Sequence, residues 1–410
     1  MVKKLLSIGL VGGVAVVSAC FGDGPTPTAP SGATVLFSTE PGQSCNAGTY
    51  IGPIAFGSDH VYVSFLPYQP VGGSCHGGGG NIQAEQSVFA YPLAGGTLDK
   101  IGSAGETNGG THVQLAATGS GVAYAYNEAA STSLYVEPGH VTYQSMNGTE
   151  LPIGMFAFGS DLYVGAVNNT NTTGGLDVTS PTFPNGGVGS ISNGSGQVMQ
   201  VGTGMATPWT PSCGGLDRCL VANGSSFTYV APPSTGGSWT LLQQPLSGGS
   251  PTVIATSTQN GQAPLGLDTD DHQIAWSTTE SCVQPMGGGS FNCAMYSCNV
   301  LVYDTTAAMP KPTTLLSTQK FACVDAKLAN GYVYFAIVAL STENQQMIGR
   351  GIGRVAIADR TLETLDLGIE TPTAGPRRIF PVGDQLYLVD PFVLARIDAS
   401  ALNGKHDFTP

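Results

Sequence analysis

Nine polar residues recur at or near the leading end of the first strand in the chain's repeated hairpins: Tyr50, His112, Gln114, Asp217, Arg218, Asp325, Lys327, Arg377 and Arg378. Four of the chain's 14 lysines and arginines are among them, although the formal net charge is −13. If those strands line one channel, they create local positive potential inside an acidic protein, which suits an anionic or sugar ligand. Tyr50, His112, Arg218, Asp325, Lys327 and Arg378 are the residues this reading assigns to ligand binding. The same charges can instead pair with one another across the channel mouth, a structural role that charge clusters often have.

Other chemistry-bearing groups are fewer. Asp268, Asp270 and Asp271 in "LDTDDH" have the composition of a calcium loop. They also fall where sister hairpins place "GSD" or "NG", and turn propensity alone accounts for aspartate there; the twelve-residue calcium-ligand pattern is missing. His76 stands in the Gly-rich "SCHGGGGN", while His60 and His272 fall in hairpin turns. The sequence contains no Gly-x-Ser-x-Gly and no His-Glu-x-x-His, and no phosphate-cradling glycine loop leads into a helix. No catalytic residue, metal or cofactor is assigned.

The elements that must position these groups come from a repeat. A small-apolar strand, a Gly/Asn/Asp/Ser turn and a second apolar strand return seven times: "PIAFGSDHVYVSF" from Pro53, "QLAATGSGVAYAY" from Gln114, "GMFAFGSDLYVGA" from Gly154, "CLVANGSSFTYVA" from Cys219, "LGLDTDDHQIAWS" from Leu265, "AKLANGYVYFAIV" from Ala326 and "RIFPVGDQLYLVD" from Arg378. Such turns are those of tight β-hairpins. A second, Gly-turned hairpin follows most of them, as in "YPLAGGTLDKIG" (Tyr91–Gly102), "YQSMNGTELPIG" (Tyr143–Gly154) and "QQPLSGGSPTVIA" (Gln243–Ala255). Two hairpins in roughly 50 residues make a four-stranded propeller blade. The expectation is an all-β, seven-bladed β-propeller over residues 34–404, each blade an antiparallel sheet with strands A to D from the axis outward.

The last copy runs out after "VLARIDAS" (Val393–Ser400) without a D strand. The first ordered-looking segment, "TVLFST" (Thr34–Thr39), resembles the D-strand segments "TVIATST" (Thr252–Thr258) and "TTLLST" (Thr313–Thr318). It is expected to complete blade seven and close the ring, with alternate side chains facing blade seven and blade one. The A-to-B turns are minimal. The long connections, Pro67–Gln86, Asn168–Gly187 and Glu280–Ser297, are all B-to-C and share a face with the starts of the inner strands. Long loops on a rigid scaffold usually carry binding.

The repeats resemble those of bacterial extracytoplasmic β-propellers that lie between the YWTD and NHL groups. That resemblance implies the fold and little else, since propellers host many functions. WD dipeptides are absent, and three tryptophans are too few for tryptophan-docking repeats.

The N-terminus adds an address. Met1-Val2-Lys3-Lys4 is followed by apolar Leu5–Val17 and then Val17-Ser18-Ala19-Cys20, a secretory pattern whose end resembles a bacterial lipobox with Val in place of the commoner Leu. The resemblance implies a signal peptide of residues 1–19, a lipid on Cys20 and a Pro/Gly/Thr-rich tether to Ala33; residues 405–410 form a tail. Anchoring to the membrane of a bacterial cell envelope through this lipid is expected, with the domain extracytoplasmic. Loss of Lys3 and Lys4 makes the chain two units more acidic, which argues against nucleic-acid partners.

Eight cysteines remain besides Cys20, an even number that suits disulfides in an exported protein. The expected pairs are Cys45–Cys75 and Cys213–Cys219. A hairpin about the glycines of "SCVQPMGGGSFNC" would set Cys282 opposite Cys293 and leave Cys298–Cys323; the two other pairings of these four stay open. The functional expectation is a monomeric, lipid-anchored scaffold that binds a protein or glycan through its B-to-C face. The alternative is a propeller enzyme of lactonase or polysaccharide lyase type, with its site in the central funnel.

Overall fold

The computed structural model describes residues 15–16, 32–39, 48–68, 83–108, 113–128, 131–138, 141–147, 150–168, 196–201, 206–209, 220–231, 239–257, 264, 266–278, 297–340, 347–367, 378–389 and 393–404. Seven antiparallel blades account for all of its sheets. A single 3-10 turn, Ala399–Ala401, is the only helix among the described residues. The inner A strands, in blade order, are Gly48–Phe56, Val113–Ala117, Glu150–Phe158, Leu220–Ala222, Gly266–Thr269, Ala322–Ala329 and Arg378–Val382.

The turns between A and B strands occupy two to four residues. In blade six, Asn330 and Gly331 both take positive φ (51° and 79°), the geometry of a two-residue turn whose twist matches its strands. In blade five, Asp270 Oδ1 accepts the backbone N–H groups of His272 and Gln273 at 2.8 and 2.7 Å. Asp270 therefore shapes the turn, as its type favours. Asp268 lies within the A strand and not in the turn where its sequence neighbours suggested it would be.

A second correction concerns "YQSMNGTELPIG". Its two halves belong to different blades: Val141–Asn147 is blade two's D strand and Glu150–Phe158 is blade three's A strand. Blade two's own outer hairpin pairs Ser131–Glu137 with Val141–Asn147. Asn-Gly fits a tight reversal equally well within a blade or between blades, so turn chemistry alone could not place the boundary.

The core is divided into seven apolar clusters, one in each seam between neighbouring blades. Strand Tyr332–Leu340, "YVYFAIVAL", shows how period two produces this. Val333, Phe335, Ile337 and Ala339 pack into the seam with blade five, while Tyr334 and Ala336 pack into the seam with blade seven. A strand buried on both faces reads as one apolar run, and each large side chain so buried contributes roughly 2–3 kcal/mol.

Blade seven closes as expected. Thr34–Ser38 pairs antiparallel with Val393–Asp398, the blade's C strand. Ala15–Val16 lies parallel to its outer edge. The expected strict alternation fails at Leu36, where a register shift separates the Val35 and Phe37 pairs. The bulge turns both Leu36 and Phe37 into the seam with blade one, while Ala33 and Val35 pack in the seam between blades six and seven. Phe37 is fully buried and meets Phe65 and Tyr91 of blade one at 6.0 and 5.6 Å between ring centroids.

Cys298 and Cys323 form a disulfide, as the pairing argument expected. It joins the start of blade five's C strand to blade six's A strand. Cys20, Cys45, Cys75, Cys213, Cys219, Cys282 and Cys293 lie outside the described residues. Crosslinking over a 25-residue separation gives about 3 kcal/mol on the chain-entropy view. The double substitution Cys298→Ala/Cys323→Ala is accordingly expected to lower the denaturation midpoint while leaving the far-ultraviolet β signal in place. Loss of that signal in native buffer would mean that the crosslink holds the ring itself.

Candidate functional site

The inner strands of all seven blades surround a central cavity of about 500 Å³. Its lining is uneven. Blades one to four contribute apolar and small residues, among them Ile54, Ala116, Met155 and Ala222, with Gln114 as a polar exception. Blades five, six and seven contribute Asp268, Lys327 and Arg378. The charged half of the channel is thus the half nearest the ring closure.

Blade six builds the centre of this charged half. The A–B pairing of its inner hairpin slips between Val324 and Lys327, and Asp325 at the slip takes a φ of 62°. Aspartate is among the few residues that occupy this region at modest cost. The Asp325 carboxylate is buried and serves three donors. Oδ1 accepts the Ala326 N–H at 2.9 Å and pairs with the Lys327 ammonium. Oδ2 crosses to blade seven and accepts the Ile379 N–H at 3.0 Å. The Asp325 carbonyl in turn accepts the Ser277 hydroxyl of blade five at 2.9 Å.

The neighbouring charges make the same kind of bridge. Asp268 Oδ2 of blade five accepts the Leu328 N–H of blade six at 2.9 Å. Arg378 of blade seven donates from Nη2 to the carbonyls of Ile51 and Gly52 in blade one, at 3.3 and 2.9 Å. Those carbonyls sit where blade one's own A–B register slips, between Ile51 and Ile54. A chain of side-chain-to-main-chain bonds therefore runs from blade five through six and seven into blade one. Lys327 donates a further bond to the Ala326 carbonyl at 3.1 Å, and its ammonium lies 5.9 Å from the centre of the Phe380 ring. Charge-assisted bonds of this kind are the stronger class of hydrogen bond.

The approach of the inner strands explains Gly266. A Cβ there would come within 2.1 Å of the Asp325 carbonyl carbon, so only glycine lets blade five's strand run this close to the Asp325 slip.

Of the residues singled out from the sequence, Asp325, Lys327 and Arg378 come together at this junction, and Gln114 lines the opposite wall. Tyr50 lies in blade one's A strand, opposite Leu66, and nothing is described of its side chain. His112, Arg218, Asp217, Arg377 and His76 lie outside the described residues. The sequence reading missed the bridging role of Asp268, and it missed Ser277 and Phe380 altogether. Asp268 was the detectable one: it stands two residues before Asp270 and so falls inside the inner strand that leads into the turn, where it lines the channel.

The B and C strands of blades one, three and five are separated by residues 69–82, 169–195 and 279–297, against only 129–130 in blade two and 390–392 in blade seven. The ends of these segments lie on the face where the inner strands begin.

No protein family matches the sequence, and no curated protein is similar to it. Solved structures share the fold. The polysaccharide lyase Uly1 matches with a TM-score of 0.50 at 8% identity, covering 84% of this chain and 89% of that one. A prolyl endopeptidase matches with a TM-score of 0.50 at 10% identity over 88% of this chain and 48% of its own. The acylaminoacyl peptidase of Pyrococcus horikoshii does so with a TM-score of 0.50 at 10% identity over 88% and 52%. The chain spans about half the length of both peptidases. At these identities the likeness is one of fold: this chain is a seven-bladed, all-β propeller.

Proposed function

We propose that this chain is a lipid-anchored extracytoplasmic binding scaffold whose partner engages the face bearing the long B-to-C connections. The observation that carries this reading is the asymmetry of the ring. One face has A-to-B turns of two to four residues and C-to-D turns of three to eight, and the other carries the connections 69–82, 169–195 and 279–297, of 14, 27 and 19 residues. The charged inner-strand groups support it further, because the described bonds of Asp268, Asp325 and Arg378 run to main-chain groups of adjacent blades. Such bonds fix the platform on which the loops stand. An anionic ligand held by Lys327 and Arg378 in the channel is the form this proposal takes if the partner is a small molecule.

Two experiments test it. Cys20→Ala is expected to move the protein from the membrane fraction to the soluble extracytoplasmic fraction and to abolish labelling by a fatty-acid analogue. Continued labelling or pelleting of the processed protein would refute the anchor. Replacement of residues 169–195 by a short Gly-Ser link, which removes no cysteine, is expected to abolish in-cell crosslinking to the partner. Three-residue insertions in the A-to-B turns should leave it intact. The opposite pattern would reverse the face. Turnover of a polysaccharide or lactone that is lost in Lys327→Met would replace the scaffold with the enzyme reading.

A further inference from the structure

The strand that closes blade seven also fixes where the chain leaves the ring. Thr34 pairs with Arg396 and Ser38 with Val393, so the strand runs antiparallel to the blade's C strand. Val393 follows the B-to-C connection 390–392, whereas the C strand ends at Asp398 beside the short turns. There the Ala399 N–H donates to the carbonyl of Asp384, in blade seven's A-to-B turn, at 2.9 Å. Thr34 therefore stands at the short-turn face and Ser38 at the B-to-C face. Blade one marks the same level. Arg396, opposite Thr34, donates from Nη1 to the Leu93 carbonyl at 3.0 Å, and the Leu93 N–H donates to the Asp59 carbonyl of blade one's A-to-B turn at 2.8 Å. The residues just before the strand are held at this face too. Ala33 packs in the seam between blades six and seven, and a Cβ on Gly32 would lie 3.9 Å from Ile397 Cδ1.

For a chain anchored through Cys20, this exit point sets which face meets the membrane. Cys20 and Gly32 are twelve residues apart in sequence, a reach of at most about 40 Å. Turning the short-turn face to the bilayer spends none of that reach on the height of the ring. Turning the B-to-C face to the bilayer makes the chain double back outside blade seven, over at least the five residues of Thr34–Ser38, about 17 Å. Ala15–Val16, which lies along that outer edge, belongs to the segment that leaves with the signal peptide and offers no second attachment. Adhesion does not override the geometry. Asp59, Asp161, Asp270, Asp271 and Asp384 are exposed in or beside A-to-B turns that hold no lysine or arginine, so anionic headgroups find nothing basic in those turns to bind. We propose, resting on the lipid anchor proposed above, that the short-turn face is the bilayer-proximal surface of the protein and that the B-to-C face is presented to a partner on the side away from that membrane.

The test places one donor fluorophore at either end of blade five's D strand, Thr313–Thr318. The processed protein is taken from membranes and reconstituted into phosphatidylcholine vesicles that carry an acceptor lipid. A clickable amino acid in place of Met309, 85% exposed in the C-to-D turn, marks the short-turn face. One in place of Gln319, exposed in the connection to blade six, marks the B-to-C face. The two sites are roughly 20 Å apart along the strand, so energy transfer to the bilayer is expected to be at least about twofold greater from position 309. Flotation with the vesicles reports the anchor separately. Deleting residues 22–27 removes six of the twelve links to Gly32 and should widen the ratio. Equal transfer, or more from position 319, in protein that floats would overturn the orientation and leave the anchor standing. Protein that does not float would remove the anchor and the orientation with it.

Discussion

Deletion of Thr34–Thr39 is expected to lower the melting temperature by on the order of 10 °C and to convert the protein into oligomers. The segment contributes a whole strand to blade seven and two side chains, Leu36 and Phe37, to the seam with blade one. Both are essentially buried, and removing side chains of that size from water is worth roughly 2–3 kcal/mol each. About 5 kcal/mol on a chain of this size corresponds to a shift of that order. Deletion also uncovers the edge of Val393–Asp398, and an unpaired edge recruits other chains. Five seams are untouched and the seam between blades six and seven loses only Val35, so the far-ultraviolet β signal should survive. Scanning calorimetry and size-exclusion chromatography check the two halves of the expectation. Deleting residues 22–27, an equal length of the tether, is the control and should do neither; if the two deletions behave alike, the strand is not the fastener of the ring.

That fastener was readable before any coordinates, because a D-like segment without its blade at one end and a blade without its D strand at the other have one economical solution. The bulge at Leu36 was not. A two-against-one mismatch depends on which residues of blade one come to meet the strand, and the sequence of Thr34–Thr39 alone carries no mark of it. The same limit governed blades two and three. Asn147-Gly148 announces a reversal but not whether the chain is leaving the blade. Seams between blades were legible as apolar runs such as Tyr332–Leu340, since double-sided burial leaves no alternation to misread.

The polar junction was half legible for a related reason. Scarce charges at the starts of inner strands could be recognised as a group. Their partners could not, because those are main-chain atoms brought near by ring closure: Arg378 and the Gly52 carbonyl are 326 residues apart in sequence. Composition suggested a ligand or mutual pairing as the destination of these charges. The bonds described add a third destination, the backbone of the next blade, which no count of side-chain charges reveals.

Asp325→Ala tests what that third destination is worth. The substitution removes the acceptor of the Ala326 and Ile379 N–H groups and the counter-charge of Lys327, all at a site where Asp325 is 8% and Lys327 3% exposed. Breaking a buried ion pair from one side costs about 3–5 kcal/mol, since a charge is left in an apolar setting. Alanine also tolerates the φ of 62° less well than aspartate. The denaturation midpoint in urea should fall accordingly. Asp325→Ala/Lys327→Met removes the stranded charge and should recover part of the loss, because an apolar replacement for both partners of a buried pair is often close to neutral. Recovery should stop short of the parent, as the Ile379 N–H in blade seven still lacks its acceptor. Asp325→Asn, which keeps an acceptor and accommodates positive φ, should lie between the two. An Asp325→Ala protein as stable as the parent would show that this carboxylate is not a bridge between blades, and would return Lys327 to the role of ligand group. A full recovery in the double variant would place the whole effect in the ion pair and none in the bond to blade seven.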